Sequence, residues 1–174
     1  MVHSNNTVHS FFRWFLPATF LALGGCAGYT FNLNDNPVYN PPTLFSDYRL
    51  EDAALNECVE QAIADQRITL AGQLNQLNCS STEIKTLAGL SRFTGLEALS
   101  LRGNQIASVE PLKGLAQLEI LDIRSNRLSS TAPLRSLERL KEVDLRGNDS
   151  LECGEAQKLA EKIGDKVRLP GHCG

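Results

Sequence analysis

The 174-residue sequence predicts an α/β solenoid, a short stack of about four parallel strands with a helix closing its N-terminal end and a cap closing its C-terminal end. Three observations predict it. The phrases LEALSLRGNQI, LEILDIRSNRL and LKEVDLRGND recur at a fixed interval of 22 residues, and a fixed period in the range of roughly 20–50 residues marks stacked supersecondary units. Within each unit, alternating apolar residues give way to apolar residues at every third position. Short segments with helical periodicity flank the repeats, as befits a stack whose terminal units need an end piece with one apolar and one polar face.

The strand positions come first. Leu74, Leu96, Leu118 and Leu140 open the units, followed by Leu77, Leu99, Leu121 and Val143, and then by Cys79, Leu101, Ile123 and Leu145. This alternation sends apolar side chains inward along a short strand. A polar column follows, Thr82, Asn104, Asn126 and Asn148, at the place where the chain leaves the strand. An inward-turned asparagine amide there satisfies backbone groups that the turn leaves unpaired, because buried polar groups need partners. Ile84, Ile106 and Leu128 come next, then Leu87 and Val109, then Leu90, Leu112 and Leu134, and last Phe93, Leu115 and Leu137. Spacing by threes suits a tight helical or extended return. Pro111 and Pro133 occupy matching slots on that return, where no ladder N–H is required.

The resulting pattern, LxxLxLxxNxIxx(I/V)xxLxxLxx, resembles the leucine-rich repeat, specifically the 22-residue class of internalin-like bacterial proteins, over residues 74–151. The resemblance implies parallel strands on a concave face, a surface through which many repeat proteins bind other proteins.

The N-terminal region has a different character. FFRWFLPATFLALGGCAGY carries Arg13 ahead of a short apolar run that ends in Leu23-Gly24-Gly25-Cys26. Such a run is too short for a membrane span and suits a signal peptide, residues 1–25. Leu23–Cys26 resembles a bacterial lipobox, which implies that Cys26 is acylated and becomes the mature N-terminus. An ordinary secretory signal followed by a coincidental cysteine is the alternative. Ala27 stands where an aspartate would direct retention in the inner membrane, so the same resemblance places the lipoprotein at the outer membrane. Removing residues 1–25 takes away one arginine and no acids, leaving 16 basic against 20 acidic residues, a formal charge of −4. A mildly acidic chain without a basic run offers nucleic acid no electrostatic footprint.

Residues 26–50 are rich in Asn and Pro without sustained periodicity and read as the lipidated cysteine and a tether. Fully extended, such a tether reaches on the order of 80 Å. Its aromatics, Phe31, Tyr39, Phe45 and Tyr48, are costly to leave wet, which favours packing of part of the segment on the body. Residues 51–73 form the N-terminal cap: Leu55, Cys58, Val59, Ala62 and Ile63 share one helical face and Asp52 is the N-cap. Residues 152–174 form the C-terminal cap, with a short helix that brings Ala156, Leu159, Ala160 and Ile163 together.

Four cysteines follow Cys26, and an exported chain with an even number invites disulfides. Of three connectivities, position favours Cys58–Cys79 and Cys153–Cys173, each within one end. Cys153, His172 and Cys173 are the one group resembling a metal site, but it lacks a fourth ligand and the paired spacing of structural zinc, so no metal is expected.

On the strand face, residues between the inward leucines form columns: Gln76, Ala98, Ile120, Glu142; then Asn78, Ser100, Asp122, Asp144; then Ser80, Arg102, Arg124, Arg146. Ser100, Arg102, Ile120, Asp122, Arg124, Glu142, Asp144 and Arg146 are therefore the candidate partner-binding residues. The same charges equally describe a self-neutralising ion-pair lattice. No catalytic motif of the GxSxG, HExxH, P-loop or GxGxxG kind occurs, and His172 is the only histidine left after residue 25. Asp122 and Asp144 are neighbouring carboxylates, but their arginines hold both ionised, which leaves no general acid. The expectation is a non-catalytic protein with no cofactor and no small-molecule substrate, held in the cell envelope by its lipid. Two functions fit: a protein-binding module working through the concave strip, and a structural spacer or assembly piece working through the tether or convex side.

Overall fold

The computed structural model describes residues 31–33, 36–39 and 42–174. Residues 1–25, read from the sequence as a signal peptide, and Cys26 lie outside the described residues. The chain divides into two units, Met1–Pro41 and Pro42–Gly174. In the first, β1 (Phe31–Leu33) and β2 (Asn36–Tyr39) pair antiparallel, with Leu33 opposite Asn36 and Phe31 opposite Tyr39. A tether without regular structure is what the sequence predicts here. Strands of three and four residues are too short to leave a periodic signal.

The second unit begins with α1 (Ala53–Gln66), which buries Leu55, Val59 and Ile63, with Cys58 and Ala62 partly buried beside them. Asp52 caps it, one carboxylate oxygen accepting from the N–H groups of Ala54 and Leu55 at 3.0 and 3.1 Å. The other oxygen accepts from the backbone of Lys85 and Thr86 at 2.8 and 3.2 Å, so one side chain joins the cap helix to the first repeat. These four donors outweigh the cost of partial burial and hold the Asp52 carboxyl below its ordinary range.

Next come β3 (Gln76–Asn78), β4 (Ala98–Ser100), β5 (Ile120–Asp122) and β6 (Glu142–Asp144), parallel and in sequence order. Each pairs with its neighbour at the repeat interval, so Leu77, Leu99, Leu121 and Val143 line up and are buried. The chain returns through 3-10 turns at Leu90–Arg92, Glu110–Gly114 and Ala132–Ser136, the last two carrying Pro111 and Pro133 in their first turn. Phe93, Leu115 and Leu137 end the returns inside the core. A fifth strand, β7 (Val167–Arg168), continues the sheet beside β6 from within the C-terminal cap. That segment carries too few residues to register as a strand in the sequence.

The cap helix α2 (Cys153–Ile163) buries Ala156 and Leu159. Cys58 is bonded to Cys79 and Cys153 to Cys173, with Cα separations of 5.8 and 5.1 Å. The first bond ties α1 to the segment after β3; the second ties the start of α2 to the last turn, Gly171–Cys173. No helix among the described residues is long and apolar enough to cross a membrane.

Residues 42–50, the last part of the segment that the sequence assigns to the tether, pack on this body through its aromatics. Phe45 donates its N–H to the carbonyl of Ile68 at 2.8 Å. The rings of Phe45 and Tyr48 lie 6.0 and 5.2 Å from that of Phe93, which is fully buried. Asp47 pairs with Arg92 at 2.7 Å. Gly89 makes room for the segment: its φ is +91°, and a Cβ there would stand 2.1 Å from the carbonyl oxygen of Arg49. The folded unit therefore starts at Pro42, ahead of the boundary at residue 51 that helical periodicity marks.

Candidate functional site

The strand face rests on a ladder of asparagines. Asn104 donates from Nδ2 to the carbonyls of Cys79 and Leu101, both at 2.8 Å, while Oδ1 accepts from the N–H groups of Thr82 and Ile84. Asn126 repeats this with Leu101, Ile123 and the N–H of Ile106. Asn148 repeats it again with Ile123, Leu145 and the N–H of Leu128. Each amide thus stitches its own turn to the preceding one, the role expected of a buried polar group that must be satisfied. Just before each rung the backbone turns left-handed, at Ser81, Gly103, Ser125 and Gly147, with φ between 55° and 69°. A serine side chain lies over each glycine: a Cβ on Gly103 would meet Ser81 Oγ at 3.0 Å, and one on Gly147 would meet Ser125 Oγ at 3.1 Å. These turns fix the direction in which the preceding arginine leaves the strand.

Above that scaffold lie the three columns, brought together as the sequence predicts. Register places Gln76, Ala98, Ile120 and Glu142 in one row, and Asn78, Ser100, Asp122, Asp144 and Arg168 in the next. Ile120 is 47% exposed, an apolar side chain left facing solvent on an otherwise polar face.

The C-terminal half of the strip is an ion-pair lattice. Arg124 Nη2 lies 2.9 Å from Asp122 and its Nη1 lies 3.7 Å from Asp144. Arg146 forks onto Asp144 with contacts of 2.9 and 2.6 Å. Arg168 adds contacts of 3.9 Å to Glu142 and 3.8 Å to Asp144. Burial pushes the Asp144 carboxyl up, but the hydrogen bonds from Arg146 and the charges of Arg146 and Arg124 outweigh it, and the group sits below the ordinary carboxylate range. Arg146 in turn is raised above its usual value, chiefly by its hydrogen bond to Asp144. Arg124 thus bridges the two neighbouring carboxylates. Arg168 is the member that sequence reasoning misses. It falls outside the repeat interval, and the Val-Arg-Leu alternation around it is its only signal.

The N-terminal half is uncharged apart from Arg102. Ser80 donates to Asn78 Oδ1 at 2.6 Å and shares a 2.9 Å contact with the Ser100 hydroxyl. Arg102 is exposed, and its guanidinium makes no ion pair or hydrogen bond among the described residues.

Other places offer less chemistry. A cleft of about 550 Å³ beside α1, lined by Glu57, Gln61, Asp65, Gln66, Asn78 and Thr82, contains Cys58 only as a disulfide. Cys153, His172 and Cys173 converge, their ligand atoms lying within 4.8 Å of one another. The two sulfurs are bonded to each other, and His172 Nε2 is 3.0 Å from the carbonyl of Leu151, so the donor set does not fit a metal ion.

Comparison with known proteins agrees with this geometry. An internalin, InlF, from Listeria monocytogenes superposes with a TM-score of 0.58 at 23% identity, over 69% of this chain and 36% of that one. A second, internalin C2 from the same organism, is 30% identical over 51% of this chain and 37% of its own, with a TM-score of 0.41. The chain therefore spans little more than a third of the internalins it matches, and at this identity the first of them shows the fold alone. No curated protein matches the sequence. Residues 50–153 match the family described as the Endo-beta-N-acetylglucosaminidase EndoS LRR domain, a span that takes in the cap helix, all four repeat strands and the asparagine ladder between them. With over half its length inside that match, the chain belongs to this leucine-rich repeat family.

Proposed function

We propose that the protein is a non-catalytic protein-binding module, anchored at the outer membrane through an acylated Cys26, that holds its partner on the strand face. Ile120 carries the reading. An isoleucine half exposed at the middle of the sheet, with Ala98 beside it and Glu142, Asp122 and Ser100 around them, is the arrangement of an interface with an apolar centre and polar rim. The strands beneath it are locked by the asparagine ladder, so little conformational entropy is lost on binding. The neighbouring carboxylates of the site are both engaged by Arg124, as befits a surface for contact more than for proton transfer.

The self-satisfied lattice in the C-terminal half favours the second reading, a spacer or assembly piece contacting partners through its tether or convex side. Affinity capture from detergent-solubilised envelopes separates the two. Ile120→Asp, on an exposed position, should leave the melting curve nearly unchanged and abolish retention of the proteins that the wild type captures. Unchanged retention by Ile120→Asp, with loss on deleting residues 27–41, would put the spacer reading ahead.

A further inference from the structure

We infer that the strip is bipartite and takes an acidic residue beside an apolar one from its partner, with Arg102 as the charge reader and Ile120 as the apolar contact. The inference rests on the strand-face reading above and specifies what that face selects.

Asp122 is engaged by Arg124, Asp144 by Arg146 in a fork, and Glu142 faces Arg168. Every acid on the strip has an arginine within 4 Å, and the arginines at 124, 146 and 168 each have an acid. Arg102 belongs to the same column but meets no acid among the described residues: its own strand carries Ser100 where β5 and β6 carry aspartates, and Asp122, opposite Ser100 on the next strand, is held by Arg124. Among the described residues of the strip, Arg102 is therefore the cation left over, on a chain whose formal charge is −3. The local surplus runs against the overall sign.

The surroundings suit a carboxylate. The guanidinium fork is made for planar, bidentate recognition of a carboxylate. Ser80 gives its hydrogen to Asn78 Oδ1, so the Ser100 hydroxyl donates to Ser80 across their 2.9 Å contact and leaves the guanidinium as the donor at this corner. Ile120, one strand over, follows Ala98 in its row, which gives an apolar step next to the charged corner. A basic partner finds no unclaimed acid here and meets repulsion from Arg102. Arg124, although central by sequence, is bound to two aspartates and supports the lattice more than it reads a ligand.

A phage-displayed library of short random peptides tests this, selected in parallel on the immobilised full-length protein in detergent and on its Arg102→Glu variant. Binders to the wild type should pair Asp or Glu with a neighbouring Leu, Ile, Phe or Met. They should bind Arg102→Glu at least about tenfold more weakly, the scale on which one lost charge contact acts. Selection on Arg102→Glu should return Lys- or Arg-bearing peptides. Arg102→Gln, neutral and matched in size, should fall between the two, and all variants should melt like the wild type. Peptides that lose binding to Ile120→Asp but bind Arg102→Glu equally well overturn the inference and leave the strand-face reading standing. Peptides indifferent to both variants, or a library that yields no binder, overturn the reading together with the inference.

Discussion

Asn126 makes three hydrogen bonds to buried backbone groups of two successive turns, whereas Arg124, two residues earlier, contacts only side chains at an open face. Asn126→Ala should therefore cost about 1–3 kcal/mol of stability in denaturant unfolding, and Arg124→Ala less than about 1 kcal/mol. The asparagine, leucine and isoleucine columns were legible in the sequence because each answers a backbone or packing demand that recurs in every unit. The left-handed turns were not, since Gly103 and Gly147 alternate with Ser81 and Ser125, and serine gives no hint of a positive φ. Nor does the pattern foretell Thr131, buried in the slot that holds Leu87 and Val109, with a hydroxyl that meets no partner. Asp144 links this scale to pH. Its folded pKa lies below the unfolded one, near about 3.9, so the unfolded chain binds the proton first on acidification. The stabilisation is complete above the unfolded pKa and drains away as pH falls through the folded value. Unfolding free energies measured from pH 7 down to pH 2 should fall more steeply below about pH 4 for the wild type than for Asp144→Asn, with the two curves converging in acid. Parallel curves across that range would remove Asp144 from the account.

At the scale of elements, each end carries a helix and a disulfide: one bonds α1 to the first repeat, and the other bonds the start of α2 to the last turn of the C-terminal cap. The spacing of the cysteines made the pairing readable, because Cys58 falls on the apolar face of one helix and Cys79 in an inward strand slot. Non-reducing peptide mapping should recover Cys58 linked to Cys79 and Cys153 to Cys173. Closing loops of 21 and 20 residues contributes up to about 3 kcal/mol each, so Cys58→Ser should melt several degrees lower and expose α1 to hydrogen exchange before the central strands. The aromatics of 42–50 gave a reason for that clasp to pack, but a segment without a period does not say where. What places it is a partner, Phe93, and a gap, Gly89, both far along the chain. β7 escaped the sequence for a related reason: Val167 pairs with Val143 across an interval longer than the repeat.

For the molecule as a whole, the lipobox reading makes a demand that the folded body does not. The mature protein should start at an acylated Cys26, partition into detergent, and show no tryptophan fluorescence, because Trp14 is the only tryptophan and is removed with the signal. Cys26→Ser should lack the lipid. Intact-mass spectrometry that finds Trp14 retained, or an unmodified Cys26, would sink the anchor and leave a secreted binding module.

The asparagine ladder also has a bearing on lineage. Each rung joins its own turn to the turn before it, and two Nδ2–carbonyl bonds and one N–H bond to Oδ1 recur from Asn104 to Asn148. A copied unit would thus arrive with its own fastening and find a ready socket on either side. Length in such a chain is quantised: gene duplication or unequal crossing-over can add or remove whole strands, each widening the face by about 4.8 Å, without re-inventing any junction. Duplicating residues 117–138 in tandem should yield a soluble, cooperatively melting protein at least as stable as the parent, because a nearest-neighbour stack gains one more favourable interface. A copy broken elsewhere in the period, with a residue dropped, would leave one rung facing no socket, and calorimetry should then resolve two separate transitions.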